Sequence, residues 1–340
     1  MAENRTLTIT SGIVAVFIIG LVLRLAKAVF FPFFLALFIY FILSPVLDFL
    51  GIKLKISKPV VVVVLIVLTF SWVYLTGAIF YSSGKTFALD LPNYEHKLSG
   101  VLDSLRSSLG LSKSQWDPLA WAKNLEIEKI GAFFLTSLGT FVNFISNLFL
   151  VFIFLVFMLA GRGRLTVKIK NEFPAHQASH LNRILEKIDR QIQRYLAIKT
   201  VISLLSGILA TIILVIFGIH YAVLFGIITF VLNYIPNIGS LISKVFPFLL
   251  ALLQFDSVWP AVWLLVVLTV VDAVVGMILE PKLLGTGLGL SPLAILFALF
   301  FWGWLWGIPG MILAVPLMAI LKIISVNFPA MKFVDVLLSK

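Results

Sequence analysis

Residues 283–321 read LLGTGLGLSPLAILFALFFWGWLWGIPGMILAVPLMAIL, a stretch without a single Asp, Glu, Lys or Arg. A helix needs about 20 apolar residues to cross the hydrocarbon of a bilayer, so this run is long for one crossing and barely enough for two. Gly303, Gly307, Pro309, Gly310 and Pro316 interrupt it. Proline removes a backbone donor and glycine frees the chain to turn. The run therefore reads as one broken span, or as a re-entrant hairpin followed by a span. Further charge-poor runs lie at 8–23, 28–47, 59–84, 130–161, 200–217, 221–243 and 257–279. With 288–321 they predict an all-α polytopic membrane protein of about eight transmembrane helices, with broken or re-entrant helices in the C-terminal half.

Composition supports this reading. Of 340 residues, 61% are hydrophobic and only 12% charged. Fifteen acids and 26 bases cannot supply the polar surface that a soluble body of this size needs, which excludes soluble enzymes. With no cysteine, disulfides, thiolate nucleophiles and Cys-ligated metal centres are excluded too. In a membrane protein the net charge of +11 places Lys and Arg on the cytoplasmic side, facing anionic lipid rather than nucleic acid. The run at 8–23 has a polar opening, MAENRTLTIT, with one base and one acid, and no A-x-A site follows, so it reads as an uncleaved first helix.

Two polar segments divide the apolar runs. Residues 85–129 hold six bases and six acids, whereas 162–199 hold nine bases and three acids. The positive-inside rule makes the second cytoplasmic and the first extracytoplasmic. The resulting organisation is N-terminal transmembrane helices (1–84), a polar extracytoplasmic helical insert (85–129) and a long transmembrane helix (130–161). A basic cytoplasmic amphipathic segment (162–199), a C-terminal transmembrane core with broken helices (200–325) and a cytoplasmic tail (326–340) complete the chain. Within 162–199, Leu181, Ile184, Leu185, Ile188, Ile192, Tyr195 and Leu196 recur at helical spacing opposite Arg183, Lys187, Arg190 and Arg194. That helix either lies on the inner leaflet or packs inward. A comparable stripe, Tyr94, Leu98, Val101, Leu102, Leu105 and Leu109, is a candidate contact with a second subunit.

Enzymatic motifs fail on their spacing. Ser83-Gly84-Lys85-Thr86 ends like a phosphate-binding loop, but Ile79 stands where the first glycine is required. Gly285-Thr286-Gly287-Leu288-Gly289 lacks dinucleotide spacing and a preceding strand. Glu172, His176 and His180 share a helical period, but Pro174 falls inside it, which favours solvated residues over a metal site. No paired catalytic carboxylates or nucleophile triad is visible, so no enzyme, cofactor or metal is expected.

The C-terminal third carries the chemistry. In Asn233-Tyr-Ile-Pro-Asn-Ile-Gly-Ser240, Pro236 and Gly239 interrupt an apolar run beside Asn233 and Asn237. Unwound backbone of this kind survives in a membrane only against protein or a watery cavity, and secondary transporters use it to hold solutes or ions. An ordinary turn between two helices is the plainer alternative. Asp272 interrupts the next apolar run, where an acid is costly and usually functional. Glu280, beside Pro281 and Lys282, is either a second site or an interfacial anchor. On an α-helix Asp272, Gly276 and Glu280 share one face, with the two carboxylates about 12 Å apart.

From about Tyr195 to Lys322 the chain resembles the autoinducer-2 exporter family of bacterial permeases. The matching segments are 233–240, Pro-Lys-Leu-Leu-Gly at 281–285, Gly-Leu-Ser-Pro-Leu at 289–293 and Gly-Ile-Pro-Gly-Met-Ile-Leu-Ala-Val-Pro-Leu at 307–317. The resemblance implies a multi-pass inner-membrane permease, homo-oligomeric, linked either to export of a quorum-sensing signal or to exchange of sodium for protons. It carries Asn233, Pro236, Gly239, Pro281, Gly285, Pro292 and Pro309 as matching positions that break helices and shape a path. The chain departs from the pattern at Lys244, usually a small apolar residue, and near Asp272, often an amide. The expectation is an ATP-independent transporter whose path runs between the 233–247 and 272–292 regions, with Asp272 as the coupling charge. Its partners would be a small molecule or cation, the lipid bilayer and further copies of itself. A membrane scaffold recruiting partners, and a passive channel, are the alternatives.

Overall fold

In a bilayer every backbone polar group must be satisfied within the segment, so charge-free runs of this length become helices. The computed structural model describes residues 14, 18, 20–50, 57–108, 136, 139, 148–255, 257–284 and 288–339, and at 58, 88 and 91–108 the backbone alone. Most of the expected first span (8–23), the first part of 130–161, the side chains of the 94–109 stripe, and Gly285 lie outside this description.

The helices are α1 (Lys27–Asp48), α2 (Lys58–Ser108), α3 (Leu148–Ala160), α4 (Arg164–Glu172), α5 (Ala175–Ile216), α6 (Ala222–Leu232), α7 (Ile238–Gln254), α8 (Trp259–Ala273), α9 (Glu280–Leu284), α10 (Pro292–Trp306), α11 (Ile308–Asn327) and α12 (Lys332–Leu338). A π-helical stretch, Val274–Leu279, joins α8 to α9. Among the described residues five helical stretches are long and apolar enough to cross a membrane, or six if the bent pair α3–α4 is one span. The protein is thus an all-α, multi-pass membrane protein. The apolar run 221–243 divides into α6 and α7. The run 288–321 divides into the short α10 and the span-length α11, packed together.

The chain forms two compact units. One comprises 1–67, 147–197 and 286–340. In it, α10 begins at Ser291, whose Oγ accepts from the Ala294 N–H at 3.1 Å, with Pro292 supplying a preset φ. It ends at Gly307, whose φ of +73° suits glycine. The chain folds back so tightly that a Cβ on Gly310 would lie 2.0 Å from the Trp302 carbonyl oxygen. Phe31 and Phe34 of α1 pack on Trp306. Arg162, in the elbow between α3 and α4, grips Asp48 through two hydrogen bonds of 2.8 and 2.9 Å and also donates to the Ser44 carbonyl. In α5, Ile184, Ile192, Tyr195 and Leu196 are buried, so that stripe packs inward. The C-terminal helix is tied down by Lys322, which donates to Asp335, and by an antiparallel bridge between Leu290 and Ser339.

The second unit, 68–146 and 198–285, has its core around Phe225, Leu214, Leu224, Leu250 and Leu264. Here Gly207 of α5 and Gly226 of α6 bring two backbones together, since a Cβ on Gly207 would sit 2.9 Å from the Gly226 carbonyl oxygen. Small residues that allow this approach are a common basis of helix packing where lipid removes the usual hydrophobic drive.

Candidate functional site

Asp272 lies near the end of α8 in a 26-residue apolar stretch, where an unpaired carboxylate would be strongly disfavoured. Its partner comes from α7. Lys244 Nζ donates to Asp272 Oδ2 at 2.8 Å, and the two side chains are 16% and 20% exposed. Lys244 is the one charged residue of α7. The two lone charges of neighbouring apolar helices thus neutralise each other.

The pair borders a cavity of about 20 Å³ lined also by Ser206 of α5, Thr229 of α6 and Ser243 of α7. That volume holds about one water molecule. Thr229 Oγ1 donates to the Phe225 carbonyl at 2.8 Å and Ser243 Oγ to the Ser240 carbonyl at 3.1 Å. With their protons committed to backbone, both oxygens keep lone pairs for other partners. The Ser206 hydroxyl is buried and has no hydrogen-bond partner among the described residues. An orphaned buried hydroxyl beside a cavity is a place for water or ligand oxygen.

The broken stretch is held against α5 by two hydrogen bonds. Asn233 Nδ2 donates to Ser203 Oγ at 3.1 Å, and Tyr234 Oη donates to Thr200 Oγ1 at 2.8 Å. One step before Thr200, Lys199 Nζ donates to Glu280 Oε1 at 2.7 Å with only 3% of its side chain exposed. Glu280 therefore meets a buried cation of α5.

The break has its own strain. The Ile238 N–H donates to the Pro236 carbonyl at 2.7 Å, closing a γ-turn around Asn237, whose φ is +60° and ψ −47°. This is the rare, strained form of that turn. The Asn237 side chain is exposed. Just beyond, a Cβ on Gly239 would fall 1.8 Å from the Leu232 carbonyl oxygen, so no other residue fits without moving the backbone.

The spacing of Asp272, Gly276 and Glu280 is not α-helical. Val274–Leu279 is a π-helix in which the Glu280 N–H reaches back five residues to the Val275 carbonyl. Pro281 comes immediately after. Its missing N–H and the clash of its ring with the carbonyl four residues back favour a widened turn before it. The face predicted from four-residue steps is therefore displaced.

A family model for AI-2E family transporters matches residues 11–330. The chain belongs to the AI-2E transporter family. Relatives include the AI-2 transport protein TqsA of Escherichia coli K12, 32% identical over 340 residues, covering 98% of this chain and 95% of that protein. A Haemophilus influenzae protein named provisionally as a transport protein is 31% identical over 335 residues, covering 96% and 93%. A Borreliella burgdorferi protein of the same provisional name is 31% identical over 316 residues, covering 93% and 86%. This AI-2E family member is accordingly a membrane transporter of the bacterial inner membrane.

Asn233, Pro236, Asn237, Gly239, Asp272, Glu280 and Pro281 all belong to the second unit of the transporter. Asp272 and Glu280 each meet a lysine, while Asn233 meets Ser203. Pro292 and Pro309 belong to the first unit, where they open α10 and α11. His176 and His180 are exposed, and no group of three metal-ligating side chains occurs among the described residues. Sequence reading did not pair Lys244 and Lys199 with their acids. The available signal was charge balance: a lone base in one apolar helix needs a lone acid in another.

Proposed function

We propose that this transporter is an ATP-independent permease that exchanges a small cation for protons at the Lys244–Asp272 pair. The observation that carries the proposal is the pair itself, set against a water-sized cavity lined by three hydroxyl oxygens. Carboxylate and hydroxyl oxygens with lone pairs to give suit a hard monovalent cation. Such a cation displaces the Lys244 ammonium from Asp272. In the proposed exchange, the proton that leaves is the one the displaced Lys244 ammonium carried. When the cation leaves, Lys244 takes a proton back and the pair closes. One positive charge enters and one leaves, so the resting and the cation-loaded states carry the same net charge.

The name of the E. coli relative supports a second reading, export of the quorum-sensing signal autoinducer-2. The cavity is too small for such a solute in the conformation described, so that reading needs the helices around the break to part. One vesicle preparation tests both. A sodium gradient is imposed across proteoliposomes while internal pH and release of labelled autoinducer-2 are followed. Sodium-driven proton movement that Asp272→Asn abolishes supports exchange. Signal release without proton movement supports the second reading, and an absence of both fluxes together with stable co-purification of a partner would favour a scaffold.

A further inference from the structure

The elbow between α3 and α4 carries a surface that the transport reading does not use. Gly161, Arg162 and Gly163 bend the chain by 59° after the apolar helix α3, with Gly163 at a φ of +85°. Arg162 fixes the bend by its twin hydrogen bonds to Asp48. Helix α4, on the far side of the bend, buries none of its residues. Leu165 is 58% exposed and Phe173, just past the helix end, 46%.

At 100° per residue Leu165, Ile169 and Phe173 form one narrow apolar stripe. Lys168 and Lys170 stand on either side of it. Arg164, Lys168 and Lys170 against Glu172 leave α4 with three bases and one acid, a net charge of +2. Arg162, Arg164, Lys168, Asn171 and Glu172 also line an open hollow at the elbow, on the side of α4 away from the stripe. A short helix of this kind, immediately after an apolar span and with lysines flanking its apolar stripe, matches a membrane surface rather than water. The stripe enters the acyl boundary, and the lysines extend their alkyl stems along it to reach headgroups.

We infer that α4 is an interfacial helix that docks on the anionic inner leaflet, with its apolar stripe toward the acyl chains and Lys168 and Lys170 toward the headgroups. Its occupant is lipid because the charge is positive, the adjoining segment is a membrane span, and both ends of the apolar stripe, Leu165 and Phe173, are exposed. Docking of this kind is independent of what the transporter carries.

The natural absence of cysteine makes the test direct, since Leu165→Cys and Asn171→Cys each give one labelling site in the full-length protein. Each variant is labelled with an environment-sensitive fluorophore and reconstituted in phosphatidylcholine vesicles with or without phosphatidylglycerol. Docking predicts a blue-shifted label at 165 that is quenched by brominated lipid, while the label at 171 is quenched by aqueous iodide. The asymmetry should deepen with phosphatidylglycerol and weaken as salt is raised. Lys168→Gln and Lys170→Gln in the Leu165→Cys background should each weaken docking roughly fivefold. Iodide quenching of both positions regardless of lipid would show a solvated helix and overturn the inference. So would a label at 165 shielded from iodide and brominated lipid alike, because protein would then be the cover. A gel-filtration profile matching the parent excludes misfolding as the cause of either result.

Discussion

Removing Lys244 separates the structural and functional roles of its ion pair. At 2.8 Å and an effective dielectric near 20, the gross attraction between the two charges is on the order of 6 kcal/mol. Most of this only offsets the desolvation of two groups that are each about four-fifths buried. The net effect of the pair is therefore small, but the effect of breaking it is not. Lys244→Met leaves the Asp272 carboxylate without its counter-charge and should cost about 3–5 kcal/mol. For a unit of this size that lowers the unfolding midpoint by on the order of 10 °C. Lys244→Met combined with Asp272→Leu removes both charges and should regain most of the loss, since an apolar pair of similar volume packs well there. Thermal unfolding of the purified protein in one detergent measures all three proteins. Coupled flux in proteoliposomes is then read on the stable double variant. The expected outcome is parental stability with no sodium-driven proton movement. A double variant that is both stable and fully coupled would refute the assignment of exchange to this pair. A Lys244→Met protein as stable as the parent would refute the electrostatic reasoning itself.

Single positions carry further consequences. Gly239→Ala drives a methyl group to 1.8 Å from the Leu232 carbonyl oxygen, so it should lower the unfolding midpoint markedly and reduce the yield of monodisperse protein. Asn237→Gly should be tolerated or mildly stabilising because glycine adopts the positive φ freely, whereas Asn237→Val should destabilise by roughly 1–3 kcal/mol; detergent thermal melts rank the three. Glu280→Gln leaves buried Lys199 without its counter-ion and should destabilise by several kcal/mol, a loss that Lys199→Met in the same chain should partly reverse when midpoints are compared.

The architecture was legible because lipid imposes a length rule, and the uncharged runs at 28–47, 59–84 and 200–217 correspond to helices that satisfy it. The division of 221–243 and 288–321 was legible for a different reason. Pro236, Gly239, Gly307 and Pro309 carry definite backbone consequences, and at Gly239 and Gly310 the close approach admits no side chain. The pairing of charges was not legible, because it depends on which helices adjoin and in what register. Asp272 announced itself as a buried acid, yet nothing local to it pointed 28 residues back to Lys244. Lys199 was hidden more completely, since nine bases between 162 and 199 read together as a cytoplasmic surface and the last of them turns inward. The stripe from Leu181 to Leu196 fitted a leaflet and a protein core equally well until burial of Ile192 and Leu196 decided for packing. The π-turn escaped for a simpler reason, because reading a face from four-residue steps assumes the α-helical period in advance.

The two ion pairs constrain how the site can work. Lys199 of α5 and Lys244 of α7 hold the same bent helical stretch, one on each side of its π-turn. With both pairs closed, the apolar stretch from Trp259 to Glu280 contains two acids, each with a compensating lysine, and lipid tolerates it. In this state Asp272 is not an open anionic site, so a cation reaches it only by replacing an ammonium already there. Under the proposed exchange, cation and lysine ammonium would compete for the same carboxylate. A channel with a free carboxylate would show no such exclusion between cation and lysine. If the proposed exchange operates at this pair, a one-for-one ratio would need no second coupled site.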